Sequence, residues 1–204
     1  MKISIDSLRA FCVASLRQVG LSVTDAETTA DALVTTDAMG VFTHGTKLLA
    51  GYLHRLRGGG YRATGAPHVE REGPAWAVID GESALGQIGS MFAMRTAMAM
   101  TWQVGSWIFD EPNQPSKHNA AFIAIDVATI APPDEFAARV QSLIAEIHKA
   151  PTAAGIERVL LPGEREWNLH RTATVHGIDL PADVVAKLML IAQETEIDLQ
   201  WSAS

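Results

Sequence analysis

Residues 37–45 read Asp-Ala-Met-Gly-Val-Phe-Thr-His-Gly and lie between two stretches of helical spacing. Upstream, Thr24-Asp-Ala-Glu27 has the spacing of a capping box, a Ser or Thr with Glu three residues on. The helix it opens should run to about Met39, and Gly40 can take the left-handed conformation that closes it. Downstream, the Thr43 hydroxyl can cap a further helix. Leu48, Leu49, Tyr52, Leu53 and Leu56 give that helix an apolar face. Gly58-Gly-Gly60 stops it, because three successive glycines lose too much backbone entropy to stay helical. Ahead of all this, Ile5, Leu8, Cys12, Leu16 and Val19 mark a first helix over 5–19, closed by Gly20.

The remainder alternates. Residues 68–72 and 75–80 read as two short strands around Gly73-Pro74. Residues 86–102 read as a helix with Met91, Phe92, Met94 and Met98 filling core positions. A loop over 103–118 precedes a buried strand at 120–127. Pro132-Pro133-Asp134 opens a helix whose apolar residues are Phe136, Val140, Leu143, Ile144 and Ile147. Another short strand is expected at 157–161, followed by Leu161-Pro-Gly-Glu164 and a polar helix or turn. Pro181 suits the first position of a last helix, with Val184, Val185, Leu188 and Ile191 inward. The expectation is an α/β (or α+β) fold: a helical N-terminal cap plus a small mixed sheet flanked by helices. The short strands of both halves should share that sheet.

Composition narrows the function. The 204 residues are 48% hydrophobic and 19% charged, which is globular. Sixteen Lys and Arg against 23 Asp and Glu leave a formal charge of −7, which argues against binding nucleic acid. The single cysteine, Cys12, allows no intrachain disulfide. Asp6, Arg9 and Arg17 interrupt any signal-peptide core, and no apolar run approaches the ~20 residues that span a bilayer. A cytoplasmic protein with no membrane partner is expected. The seven histidines form no HExxH-type pair, so no metal site is expected. GxGxxG, P-loop and GxSxG motifs are absent.

His44 is the leading candidate for chemistry. An imidazole beside the Thr43 hydroxyl can exchange a proton with a ligand, and Gly45 leaves room for one. Lys47, Arg55, Arg57 and Arg62 make the neighbourhood basic and suited to a carboxylate. Leu161-Pro-Gly-Glu164 offers backbone amides to a polar ligand group. The blander readings are a surface histidine, a solvated charged face and an ordinary turn.

Residues 8–100 resemble the N-terminal part of the malate/L-lactate dehydrogenase family, which includes ureidoglycolate and sulfolactate dehydrogenases. The run Asp37–Gly45, Tyr52, Leu56-Arg-Gly-Gly-Gly60, Ala77-Val-Ile-Asp-Gly81 and Gly86-Gln87 carry the likeness. Residues 103–204 resemble its C-terminal part through Gln103-Val-Gly-Ser-Trp107, Ala121-Phe-Ile-Ala-Ile-Asp126, Leu161-Pro-Gly-Glu164 and Gly177-Ile-Asp-Leu-Pro181. The resemblance implies an NAD(P)-dependent oxidoreductase of a 2-hydroxy (or 2-imino) acid and its 2-oxo partner, working as a homodimer. It places Thr43 and His44 in the substrate site, with His44 catalytic, and Pro162, Gly163 and Glu164 against NAD or NADP. The family pattern carries an arginine four residues after this histidine. Here that position is Leu48, with Lys47 beside it as the substrate-binding candidate.

The family's middle has no counterpart. Its Asn-His-x-Gly-type segment, source of the general acid/base histidine, and its nucleotide-binding domain are missing, because Met100 runs directly into Thr101-Trp102-Gln103. Segments 1–102 and 103–204 are expected to pack as one domain without that insert. Two functions follow: a crippled oxidoreductase, or a non-catalytic shortened paralogue serving as a dimerisation and interaction module.

Overall fold

Ser4 accepts a hydrogen bond from the Ser7 amide at 3.0 Å and so caps α1 (Ile5–Gln18), whose Asp6 and Arg17 complement the helix dipole. In the computed structural model, which describes residues 1–73, 76–96, 131–152 and 154–201, α1 and α2 (Val23–Ala38) pair to form the centre of the molecule. Leu8, Phe11, Cys12 and Leu16 of α1 meet Ala26, Ala30, Leu33 and Val34 of α2, and all are buried. Each such leucine removed from water contributes ~1.5–3 kcal/mol.

The cap of α2 differs from the expected Thr24 box. Ser22 is the N-cap, accepting from the Asp25 amide at 3.1 Å, and Thr24 lies inside the first turn. Ser22 is extended while the next residue is helical, the geometry a cap requires. The expected third helix also shifts. A single 3₁₀ turn, Thr46–Leu48, leads into α3 (Leu49–Arg57), and Thr43 caps neither.

Two antiparallel pairs make up the described sheets. β2 (His68–Gly73) pairs with β3 (Trp76–Asp80), His68 opposite Asp80 and Gly73 opposite Trp76, with a register irregularity between Val69 and Arg71. β1 (Lys2–Ile3) pairs with β4 (Ile178–Asp179) near the other end of the chain. The fold is a helix-rich α/β arrangement with small sheets, and its short strands do not all share one sheet. Residues 157–161 are a correction: 157–160 are exposed, and the segment forms no strand, since among the described residues no partner edge meets its backbone. The strand expected at 120–127, the loop at 103–118 and the end of the helix expected at 86–102 lie outside the described residues.

α4 (Gly86–Thr96) follows β3. Of its apolar side chains, Met91 and Met94 are exposed rather than core, and Ala93 turns inward. α5 (Pro133–His148) buries no residue at all. α6 (Glu164–His176) reaches the core through Ala173, and α7 (Ala182–Thr195) through Val184, Leu188 and Ile191. Gln18 of α1 donates to the Thr195 carbonyl at 2.7 Å, so α7 closes over the N-terminal helices. Among the described residues no helix is long and apolar enough to cross a membrane.

Candidate functional site

The turn between α2 and the 3₁₀ segment presents Thr43 and His44 to solvent. The Thr43 hydroxyl and His44 Nδ1 are 2.8 Å apart, so threonine's oxygen serves the imidazole and not a helix end. The cap comes from further back. Asp37, at the end of α2, accepts from the Thr46 amide at 3.0 Å and the Thr46 hydroxyl at 2.5 Å, both through Oδ2. Its side chain is buried, and burial pushes its carboxyl up to about 6 against the Thr46 hydrogen bonds that lower it. The other oxygen, Oδ1, has no hydrogen-bond partner among the described residues. It lies 1.7 Å from where a Cβ on residue 45 would stand, so only glycine fits there.

Lys47 does not point at His44's turn as a free cation. Its Nζ donates to Asp183 Oδ2 at 2.5 Å, at the start of α7. That contact holds the Asp183 carboxyl below the ordinary carboxylate range. Tyr52 and Gln87, both in the motif run read above, meet directly: the Gln87 amide donates to the Tyr52 hydroxyl at 2.9 Å. Tyr52 also packs edge-on against Tyr61, over which the Arg55 guanidinium sits. Arg55 is therefore buried structure, while Arg57 pairs with Glu194 and Arg62 with Glu82. The basic stripe expected around His44 is largely neutralised.

The second predicted segment lies at the start of α6. Gly163 takes a left-handed conformation, and Glu164 folds back over the turn. Its carboxylate accepts from the Leu161 amide at 3.0 Å, contacts His148 Nε2 at 2.9 Å and pairs with Arg158. The His148 contact, then the Leu161 amide, hold this carboxyl below its usual range. Pro162 and Gly163 are exposed. Two open grooves, of about 520 Å³ beside α7 and about 560 Å³ between Gly20–Ser22 and Ala63–Pro67, are lined by other residues. The turn is thus an exposed corner whose one carboxylate is already engaged, and among the described residues it does not fit a dinucleotide.

The two segments are joined through α6. Leu169 Cδ1 would stand 2.9 Å from a Cβ on Gly40, three residues before Thr43. Sequence reasoning named Thr43, His44, Lys47 and Glu164. It gave no role to Asp37, Asp183, His148 or Arg158. Asp37 lay inside the quoted run, and its signal was the side-chain-free residue eight positions on.

Comparisons with known proteins bear on the family and the fold. The family model "Malate/L-lactate dehydrogenase" matches residues 3–110 and 103–189. A malate dehydrogenase of Pyrococcus horikoshii is 31% identical over 160 residues, covering 78% of this chain and 43% of the relative. The ureidoglycolate dehydrogenase (NAD(+)) of Escherichia coli K12 is 32% identical over 105 residues, covering 52% of this chain and 30% of its own. The chain thus spans less than half the length of these curated relatives. The solved structure of the Pyrococcus horikoshii OT3 malate dehydrogenase superposes with a TM-score of 0.79 at 17% identity, over 98% of this chain and 97% of that one, a likeness of fold.

Proposed function

The chain belongs to the malate/L-lactate dehydrogenase family, and from that premise we propose that it keeps the substrate-side turn of a 2-hydroxy (or 2-imino) acid oxidoreductase while lacking the means to run the reaction alone. Thr43 and His44 face the acid, with His44 exchanging the hydroxyl proton. Lys47 joins them only when its pair with Asp183 opens. NAD or NADP would supply the hydride chemistry in a whole enzyme of this kind; Pro162, Gly163 and Glu164 would be what is left of its contact, and their turn does not hold it here. The observation that carries it is the Thr43–His44 pair, 2.8 Å apart on a turn locked from beneath by Asp37.

The pattern of the matches supports a chain that lacks an interior stretch. A skipped interior stretch would account for a sequence match that fills 43% of a relative beside a fold likeness that reaches across 97% of one. The family model likewise matches in two stretches that meet at residues 103–110. The test is a fluorescence titration with NADH and NADPH, with and without oxaloacetate or pyruvate. No saturable binding below millimolar dinucleotide, and no turnover, are expected. Steady oxidation of NADH or NADPH by the purified chain refutes the reading.

A second reading rests on α5, sixteen residues long with none buried and with Phe136 and Leu143 exposed. An apolar face of this kind favours association, as a homodimer or with a longer relative, in a cytoplasmic, non-catalytic role. Light scattering distinguishes it: a monomer that ignores a full-length relative counts against it.

A further inference from the structure

We propose that Asp37 is the positioning residue of the Thr43–His44 turn, acting from below through Gly45 and Thr46. This rests on the reading of His44 as the substrate-side group.

The two oxygens of Asp37 hold the turn at two points. Oδ2 binds both polar atoms of Thr46 that face it, which fixes where the 3₁₀ turn begins. Oδ1 has no hydrogen-bond partner among the described residues and abuts the bare face of Gly45, closer than any side chain could stand. Gly45 directly follows His44. The backbone leaving the histidine is therefore pinned on one side by hydrogen bonds and on the other by contact. The His44 amide donates to the Val41 carbonyl at 3.1 Å, which fixes the near side of the same turn. With both ends held, the imidazole and the Thr43 hydroxyl stay within 2.8 Å although both residues are exposed. An exposed pair of this kind would otherwise exchange its contact for water at little cost. Asp37 is itself buried at the end of α2, so the anchor is rooted in the helical core.

The test reads the His44 ring directly, by ¹⁵N NMR of the full chain, with His44→Asn to identify its signals. Thr43→Val, which removes the hydroxyl, calibrates the shift for loss of the contact. Asp37→Ala and Gly45→Ala are each expected to move the ring nitrogens in the same direction, by at least half that shift. Asp37→Asn keeps an acceptor for the Thr46 amide and is expected to move them less. In the Asp37→Ala background, adding Gly45→Ala should have less than half its effect in the wild type, because the clashing oxygen is gone. If Asp37→Ala and Gly45→Ala lower the melting temperature but leave the ring signals at their wild-type positions, Asp37 is a structural cap alone and the proposal fails. Should Asp37→Ala not fold, Asp37→Asn and Gly45→Ala make the same comparison. The readout needs no ligand. Steady oxidation of NADH or NADPH by the purified chain overturns the functional reading and leaves this result standing, whereas unmoved ring signals overturn this result and leave the functional reading standing.

Discussion

α1 and α5 are near twins in pattern and opposites in fate. Both carry apolar residues at helical spacing, both have acidic residues in the first turn, and they are fourteen and sixteen residues long. α1 buries Leu8, Phe11, Cys12, Ser15 and Leu16, whereas α5 buries nothing. The difference lies in the neighbours. α2, α3 and α7 surround α1. Among the described residues, the contact of His148 with Glu164 links α5 to the turn before α6. Periodicity announces a face that wants cover, and only tertiary structure supplies the cover.

Mutation can sharpen this contrast. Phe11→Ala should lower unfolding free energy in urea by ~3–5 kcal/mol, the cost of emptying a well-packed site. If the loss is under ~1 kcal/mol, α1 is not the centre of the core.

The next effect is on pH dependence. The Asp37 carboxyl is raised in the folded state to about 6, against an ordinary 3.8. The folded chain therefore holds this proton more tightly than the unfolded chain does. Stability from this group is present at low pH and is lost as pH rises from about 4 through about 6, by ~3 kcal/mol at most. Glu164 and Asp183, whose carboxyls are lowered, contribute in the opposite direction and lose their contribution as pH falls. Subtracting an Asp37→Asn curve from the wild-type urea series isolates the first trend. A difference that stays flat between pH 4 and 7 contradicts the burial of that carboxylate.

Leu143→Asp on α5 should change global stability by less than ~0.5 kcal/mol, because that side chain is already in water. A large loss would reveal cover on the α5 face. The smallest effect belongs to Glu164→Gln, which weakens its contacts with His148 and Arg158. The melting temperature should hold, while amide hydrogen exchange speeds up in α5 and at Leu161. Unchanged exchange would mean that this corner is held by something else.

Much of the helical half was legible in the sequence because its signals are local. The apolar spacing from Leu8 to Leu16, the stop at Gly20 and the strand pair around Gly73 each need only a few neighbouring residues. The site was half legible for the same reason. Thr43 and His44 touch, as adjacent residues can. The capping role assigned to Thr43 belongs to Asp37, which reaches forward nine residues to Thr46. Lys47 finds Asp183 across 136 residues, a partner that no spacing rule could supply. The strand expected at 157–161 failed because an apolar run becomes a strand only when another edge accepts its hydrogen bonds.

One small contact carries a wider consequence. β1 and β4 clasp residues 2–3 to residues 178–179, and the N-terminal ammonium reaches Asp179 at 3.1 Å. The clasp closes a loop that holds most of the chain. Loop-closure entropy grows only logarithmically, so doubling such a loop adds ~0.6 kcal/mol. The same clasp around a loop more than twice as long would cost nearly the same entropy. In polymer terms the knot at the ends is blind to how much string lies between them, so an interior can be gained or lost over evolution without the ends coming undone.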